Sequence, residues 1–282
     1  MDVKTFKFQQ VDVFSTKPLK GNPLAVVVGA DDLTDAQMAA FANWTNLSET
    51  TFLLAPTSPE ADYLLRIFTP ETELPFAGHP TLGTCHVWLA TGGMPKGAPI
   101  VQECGLGLVR IRSEDGRLAF AAPPLRRSGA VEAEVLARIA RGLGVAPKAI
   151  VASQWIENGP PWIGVMLRSC AEVLALTPDF AALSGLIVGV VAPWDPSRDG
   201  RDAQFEVRAF IPGSAVPEDP VTGSLNAGIA QWLIGAGIAP PSYIASQGTA
   251  LGRAGRVHVD QIGADIWIGG AVVTCVEGTV RL

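Results

Sequence analysis

The 282-residue chain carries 27 acidic and 21 basic side chains, a net charge of −6, with 48% hydrophobic and 17% charged residues. These are globular values without a basic run, so they argue against disorder and against nucleic acid as a partner. Four scattered cysteines (Cys85, Cys104, Cys170, Cys275) form no CxxC pair, and the three histidines lack ligand spacing, which argues against any metal or redox centre.

Free thiols suit a reducing cytoplasm, and MDVKTFKFQQVDVF has no signal-peptide core. The longest apolar runs fall well short of the ~20 residues a membrane helix needs. The expectation is a cytoplasmic protein with no cofactor and no membrane contact.

Phe6 to Phe14 alternates as a strand, the breakers Gly21, Asn22 and Pro23 turn the chain, and LAVVVGA reads as a buried strand. A helix begins near Leu33 with Thr34 as N-cap and Gln37 three residues on. Thr51 to Leu54 is a strand with Glu49 at its entrance, and Tyr63 to Phe68 is another. The TPETELPFAGHP loop leads to a helix predicted to start at Pro80, where a missing N–H is tolerated, and to stop at Gly92-Gly93.

Strands follow at Ile100-Val101, Leu108 to Arg112 and Leu118 to Ala122. Pro123 to Arg127 reads as a linker and Val131 to Gly142 as an amphipathic helix. Further strands are predicted at Ala149 to Ala152, Trp162 to Leu167, Leu186 to Ala192 and Phe205 to Phe210. An apolar helix runs from Ser224 to Ile234, and three alternating strands end the chain.

One stretch nearly occurs twice. Arg66, Phe68, Pro70, Leu74 and Pro75 are answered by Arg208, Phe210, Pro212, Val216 and Pro217, at an offset of 142 residues in 282. Each copy then meets a glycine and a polar residue, Gly78-His79 and Gly223-Ser224, before an apolar segment ending Trp-Leu. A duplicated module is the better reading than shared turn residues. It divides the chain into halves, 1–125 and 126–282, each a curved, mostly antiparallel sheet wrapped around one apolar helix.

Two helix starts approached by glycines offer backbone N–H groups and partial positive charge, a site for a small carboxylate. His79 lies beside the first glycine; Glu218, Asp219 and Ser224 surround the second. Glu49, in NLSET, is an acid among apolar and hydroxyl-bearing neighbours, where desolvation would raise its pKa and fit it to move a proton. Structural alternatives stand beside each: a cap for Glu49, a loop hydrogen bonder for His79, a turn starter for Asp219, an N-cap for Ser224. Glu218 reads as solvated, His86 and His258 as structural, and Cys85 as core. Trp44, Trp155, Trp162 and Trp194 serve either a pocket for a flat ring or the core.

VDVF, KGNPLAVV, NLSETTF, FTPETELPFAGHPTLG, EDPVTGS and QGTALGRAGRV, in that order over nearly the whole chain, resemble the PhzF phenazine-biosynthesis family. The resemblance implies a diaminopimelate epimerase-like α+β fold of two similar halves with the active site in the cleft between them. It implies a cofactor-independent isomerase of the trans-2,3-dihydro-3-hydroxyanthranilate type. Glu49 would be the acid/base and His79 and Asp219 would complete the catalytic set. Ser224 would bind substrate, and Gly78 and Gly223 would lend N–H groups. A small carboxylic-acid substrate and a homodimer are implied likewise. Epimerases and proline racemases of this fold place a cysteine before each glycine; Ala77 and Thr222 stand there instead, which disfavours a thiol racemase. A non-catalytic binding protein is the remaining alternative.

Overall fold

The computed structural model describes residues 3–282. The first unit opens with β1 (Thr5–Val13), β2 (Asn22–Val28), α1 (Asp35–Thr45), β3 (Thr50–Leu54) and β4 (Tyr63–Phe68). It continues with β5 (Glu73–Leu74), α2 (Gly78–Ala90), β6 (Ile100–Cys104), β7 (Gly107–Glu114) and β8 (Arg117–Ala121). The second unit, Ala122–Ile268, holds β9 (Arg127–Gly129), α3 (Ala133–Leu143), β10 (Ala152–Glu157), β11 (Trp162–Met166), α4 (Cys170–Leu174), β12 (Ile187–Pro193) and β13 (Phe205–Phe210). After these come β14 (Glu218–Asp219), α5 (Gly223–Gly235), β15 (Ser242–Gln247), β16 (Gly255–Ile262) and β17 (Asp265–Gly270). Gly269–Leu282, including β18 (Val272–Arg281), belongs to the first unit.

The duplication is explicit in the strand pairing. In the first unit β1 and β2 are antiparallel, β2 and β3 parallel, β3 and β4 antiparallel, and β4 and β6 parallel. The second unit repeats that sequence of relations through β10, β11, β12, β13 and β15. Both parallel steps need a crossover, and a helix supplies each one: α1 and α2 in the first unit, α4 and α5 in the second. The fold is therefore α+β, a mostly antiparallel sheet in each unit with its helices at the crossovers. β9 lies antiparallel to β10, and the matching place beside β1 is taken by β18, the last strand of the chain.

Burial explains the sequence pattern. The run LAVV of β2, Leu24 to Val27, is buried throughout, because α2 packs on one face of the sheet and α1 on the other. Val27 joins Phe41, Met38, Phe52 and Phe68 under α1. Leu24 faces α2, where a Cβ added at Gly83 would fall 2.5 Å from its methyl. Gly228 occupies the same sixth position in α5, and there a Cβ would meet the Ile156 carbonyl oxygen at 2.7 Å. Glycine at that step lets each buried helix lie directly on its sheet.

Several boundaries differ from those predicted. α2 starts at Gly78, two residues before Pro80, and the proline is still within the first turn, where its missing N–H leaves no bond unmade. α5 likewise starts at Gly223. The strand predicted at Ala149 to Ala152 begins only at Ala152, because Pro147 opens a 3-10 turn over Pro147–Ala149. β5 and β14, two residues each, were hidden inside loops whose prolines suggested no pairing.

Those short strands account for the repeated arginine. Arg66 grips both carboxylate oxygens of Glu73 at 2.8 and 2.7 Å, and Arg208 grips both of Glu218 at 2.8 Å. Each guanidinium also lies over the phenylalanine two residues on, at 5.2 Å for Phe68 and 4.9 Å for Phe210. Glu218 is thus not solvated: its side chain is 11% exposed and that of Arg208 6%, against 42% for Glu73 and 24% for Arg66. Arg208 further donates to the carbonyls of Val173 and Leu176. Removing one member of the buried pair strands the other, whereas the exposed pair falls back on water. Arg208→Met should lower unfolding free energy by about 3 kcal/mol and Arg66→Met by about 1 kcal/mol or less. Equal losses in urea titrations would refute this assignment.

Candidate functional site

In the first unit the site starts from two chain reversals. Asn46 takes the left-handed conformation (φ 54°) and ends α1, and Thr50 begins β3 four residues later, its hydroxyl 2.8 Å from that of Thr45. Glu49 is pinned between the two. The other reversal, KPLKGNP, is closed by Asp12, whose Oδ2 accepts the N–H groups of Lys20 and Gly21 at 2.7 and 2.8 Å. Gly21 is obligatory there, since a Cβ would sit 2.1 Å from the Val13 carbonyl oxygen. This turn delivers Asn22, fully buried, to the start of β2.

His79, the second residue of α2, joins these segments. Its Nδ1 lies 3.4 Å from Asn22 Nδ2 and its Nε2 lies 3.5 Å from Glu49 Oε2. With the Asn22 amide donating to Nδ1, the ring proton resides on Nε2 and faces the carboxylate. The Glu49 side chain is 16% exposed, but Oε2 itself is buried and makes no hydrogen bond. Desolvation raises the Glu49 pKa to about 7, with the Ser48 hydroxyl acting weakly against it. The N-cap of α2 is Ala77, which offers no side-chain oxygen, so the Gly78 end of the helix has no side-chain cap.

In the second unit Asp219, on β14, is 8% exposed. Its Oδ2 accepts a 2.5 Å hydrogen bond from Thr222, the N-cap of α5, whose hydroxyl is thereby diverted from capping the N–H of Ser224 or Leu225. The Ser224 hydroxyl accepts the indole N–H of Trp162 at 3.0 Å, and its carbonyl accepts from Asn158 at 2.8 Å. A hydroxyl oxygen so occupied keeps its own proton for a ligand.

Glu49, His79 and Gly78 therefore come together in one unit, and Asp219, Gly223 and Ser224 in the other. Sequence reasoning missed Asn22, Thr222 as a ligand of Asp219, and Gln247, which bonds Thr222 in turn. KGNP signalled Asn22 only as a turn, and QGTALGRAGRV signalled Gln247 only as part of a family motif. Of the four tryptophans, Trp162 touches a predicted site residue. Trp44 is 80% exposed on α1, Trp155 lies under Arg127, and Trp194 donates to Glu206. Burial holds the Cys85 and Cys170 thiols up at about 12, and Cys85 is packed in the core. Among the described residues no helix is long and apolar enough to cross a membrane.

The fold built above is that of the PhzF-type isomerases. A crystal structure of a PhzF-family phenazine biosynthesis protein from Enterococcus faecalis superposes with a TM-score of 0.82, at 26% identity over 99% of this chain and 100% of that one. The chain belongs to this family: the family model for phenazine biosynthesis-like proteins matches residues 11–278. It is 38% identical to antisense-enhancing sequence 1 of Schizosaccharomyces pombe, over 96% of this chain and 97% of that protein. It is 35% identical to the trans-2,3-dihydro-3-hydroxyanthranilate isomerase of Pseudomonas chlororaphis, over 76% of this chain and 74% of that protein. The chain is an isomerase of the PhzF type.

The raised Glu49 pKa has a consequence for stability. Between the ordinary value of 4.5 and about 7, the folded protein binds a proton that the unfolded chain has released. Stability is then greatest below that window and falls as pH rises through it, by on the order of 3 kcal/mol. Glu49→Gln removes the burden, so the variant should gain on wild type by about that amount between pH 4 and pH 8. Urea titrations at the two pH values should show it; a pH-independent difference would mean that Glu49 is not desolvated.

Proposed function

We propose that this protein is a cofactor-independent isomerase that moves a proton between carbons of a small cyclic carboxylic acid, with Glu49 as proton carrier. The observation that carries the reading is the Glu49 carboxyl, buried at Oε2, raised to about 7 and 3.5 Å from His79 Nε2. An isomerisation returns the proton it removes, so one group must act first as base and then as acid. A pKa close to the working pH makes both forms available to the same residue.

In the first step the Glu49 carboxylate takes a proton from a ring carbon. The electron pair left behind shifts through the adjacent double bond, and the Glu49 carboxylic acid then protonates the carbon at its far end. His79, whose Nε2 lies 3.5 Å from Glu49 Oε2, walls in the carboxylate. Asp219 and Ser224 bind polar groups of the substrate, and Gly78 and Gly223 present N–H groups of helix first turns to its carboxylate. The named activity of the Pseudomonas chlororaphis relative supports trans-2,3-dihydro-3-hydroxyanthranilate as the compound to try first. A cytoplasmic homodimer belongs to the same proposal.

A thiol racemase is the weaker reading, because Ala77 and Thr222 precede the two glycines and neither carries a thiol. In heavy water, wild type should convert the dihydro-hydroxyanthranilate and wash deuterium into the product. Glu49→Gln should lose at least 10²-fold in kcat, since an amide can neither accept nor return the proton. The wild-type kcat/KM should fall tenfold per pH unit below about 7, as the carboxylate is lost. A folded Glu49→Gln protein with full turnover would sink the mechanism.

A further inference from the structure

The second unit contains a hydrogen-bond chain whose direction is settled by the backbone, and it ends on Asp219. Gln247, the last residue of β15, is fully buried, as is Asn226 in α5. The Gln247 amide makes four hydrogen bonds. Its Oε1 accepts from the Thr222 backbone N–H at 3.0 Å and from Asn226 Nδ2 at 2.8 Å. Its Nε2 donates to the Asp219 carbonyl and to Thr222 Oγ1, both at 3.0 Å.

A backbone N–H can only donate and a carbonyl can only accept, so Gln247 has one permitted orientation. Asn226 is fixed in the same way, because its Nδ2 also donates to the Thr222 carbonyl at 2.9 Å. Thr222 Oγ1 must therefore accept from Gln247. Its single proton is left for Asp219 Oδ2, 2.5 Å away. The first unit has no equivalent, since Ala77 stands where Thr222 does.

We infer that Gln247 and Thr222 are positioning residues for the isomerase: together they commit Asp219 Oδ2 as the acceptor of the Thr222 proton and so set the orientation in which the carboxylate meets substrate. The device lies in the place where thiol enzymes of this fold would put a nucleophile, and here it carries a hydroxyl with a directed proton. The inference rests on the substrate-binding role proposed for Asp219, but the hydrogen-bond direction it asserts can be read without substrate.

The test uses the full chain as wild type, Thr222→Val, Thr222→Ser and Gln247→Glu. Valine keeps the shape of threonine and removes the proton; serine keeps the proton. The carboxylate introduced by Gln247→Glu has no N–H to give, so the Thr222 proton turns toward it and away from Asp219. For trans-2,3-dihydro-3-hydroxyanthranilate, Thr222→Val and Gln247→Glu should each lose about 10- to 100-fold in kcat/KM, and Thr222→Ser should stay near wild type.

The second readout is the ¹³C carboxyl resonance of Asp219 in the substrate-free protein. It should move in Thr222→Val and Gln247→Glu and hold its place in Thr222→Ser. Wild-type kcat/KM in a folded Thr222→Val protein would overturn the inference. If wild type does not turn over this compound, the substrate reading fails and the resonance alone decides: an unmoved signal in both Thr222→Val and Gln247→Glu overturns the inference. If Thr222→Val does not fold, Gln247→Glu carries both readouts.

Discussion

Each unit depends on a helix pressed against the sheet of its own unit closely enough to need glycine at the contact. Gly83 and Gly228, six positions into α2 and α5, are where a side chain would strike the sheet, a leucine methyl in one case and a backbone carbonyl in the other. Such a helix is fixed in depth and rotation by packing along its length. Its first turn is fixed with it, and Gly78, His79, Gly223 and Ser224 inherit that rigidity. A site built on those residues needs no loop to order itself around a ligand.

Two carboxylates at these helix starts are treated in opposite ways. Asp219 receives a 2.5 Å hydrogen bond from a hydroxyl whose own partner is a saturated amide. Glu49 has a buried oxygen without a hydrogen bond, and desolvation raises its pKa to about 7. A carboxylate supplied with a donor is fixed in place; one buried without a donor has its pKa raised toward the range where it can exchange a proton. The division of labour proposed between binding and proton transfer thus rests on local hydrogen bonding.

The repeat was legible because its markers are residues that have no substitute. Pro70 and Pro75 against Pro212 and Pro217 mark equivalent turns, and Arg66 and Arg208 make the same bidentate bond, each to a glutamate on the next strand in chain order. Glu49 was legible from NLSET, whose hydroxyls and apolar neighbours leave a lone acid. The partners of these residues were not legible. Gln247 lies 28 residues beyond Asp219, and Asn22 lies 57 before His79, and neither spacing carries a period. Glu218 was misread for the same reason: only the pairing of β14 with β13 brings it under Arg208. The turn at Pro147 was missed because β-branched and apolar residues around it outweighed one proline.

The duplicated halves have not kept equal chemistry, and the residue before each glycine shows why. A position that ends at a helix N-terminus can hold a nucleophile, a capping oxygen or nothing. The first unit has Ala77, which contributes nothing and leaves the space beside Gly78 to Glu49 and His79. The second has Thr222, whose hydroxyl would cap α5 in most settings. Here it is pulled back onto Asp219, and Gln247 takes over the Thr222 N–H. Forgoing the cap weakens the helix start by roughly 1 kcal/mol. In exchange the first-turn N–H groups have no side-chain cap, and one carboxylate oxygen is committed to the Thr222 hydroxyl. Selection for a stable helix alone would have favoured the cap, so the diverted threonine agrees with the binding role proposed for this helix start.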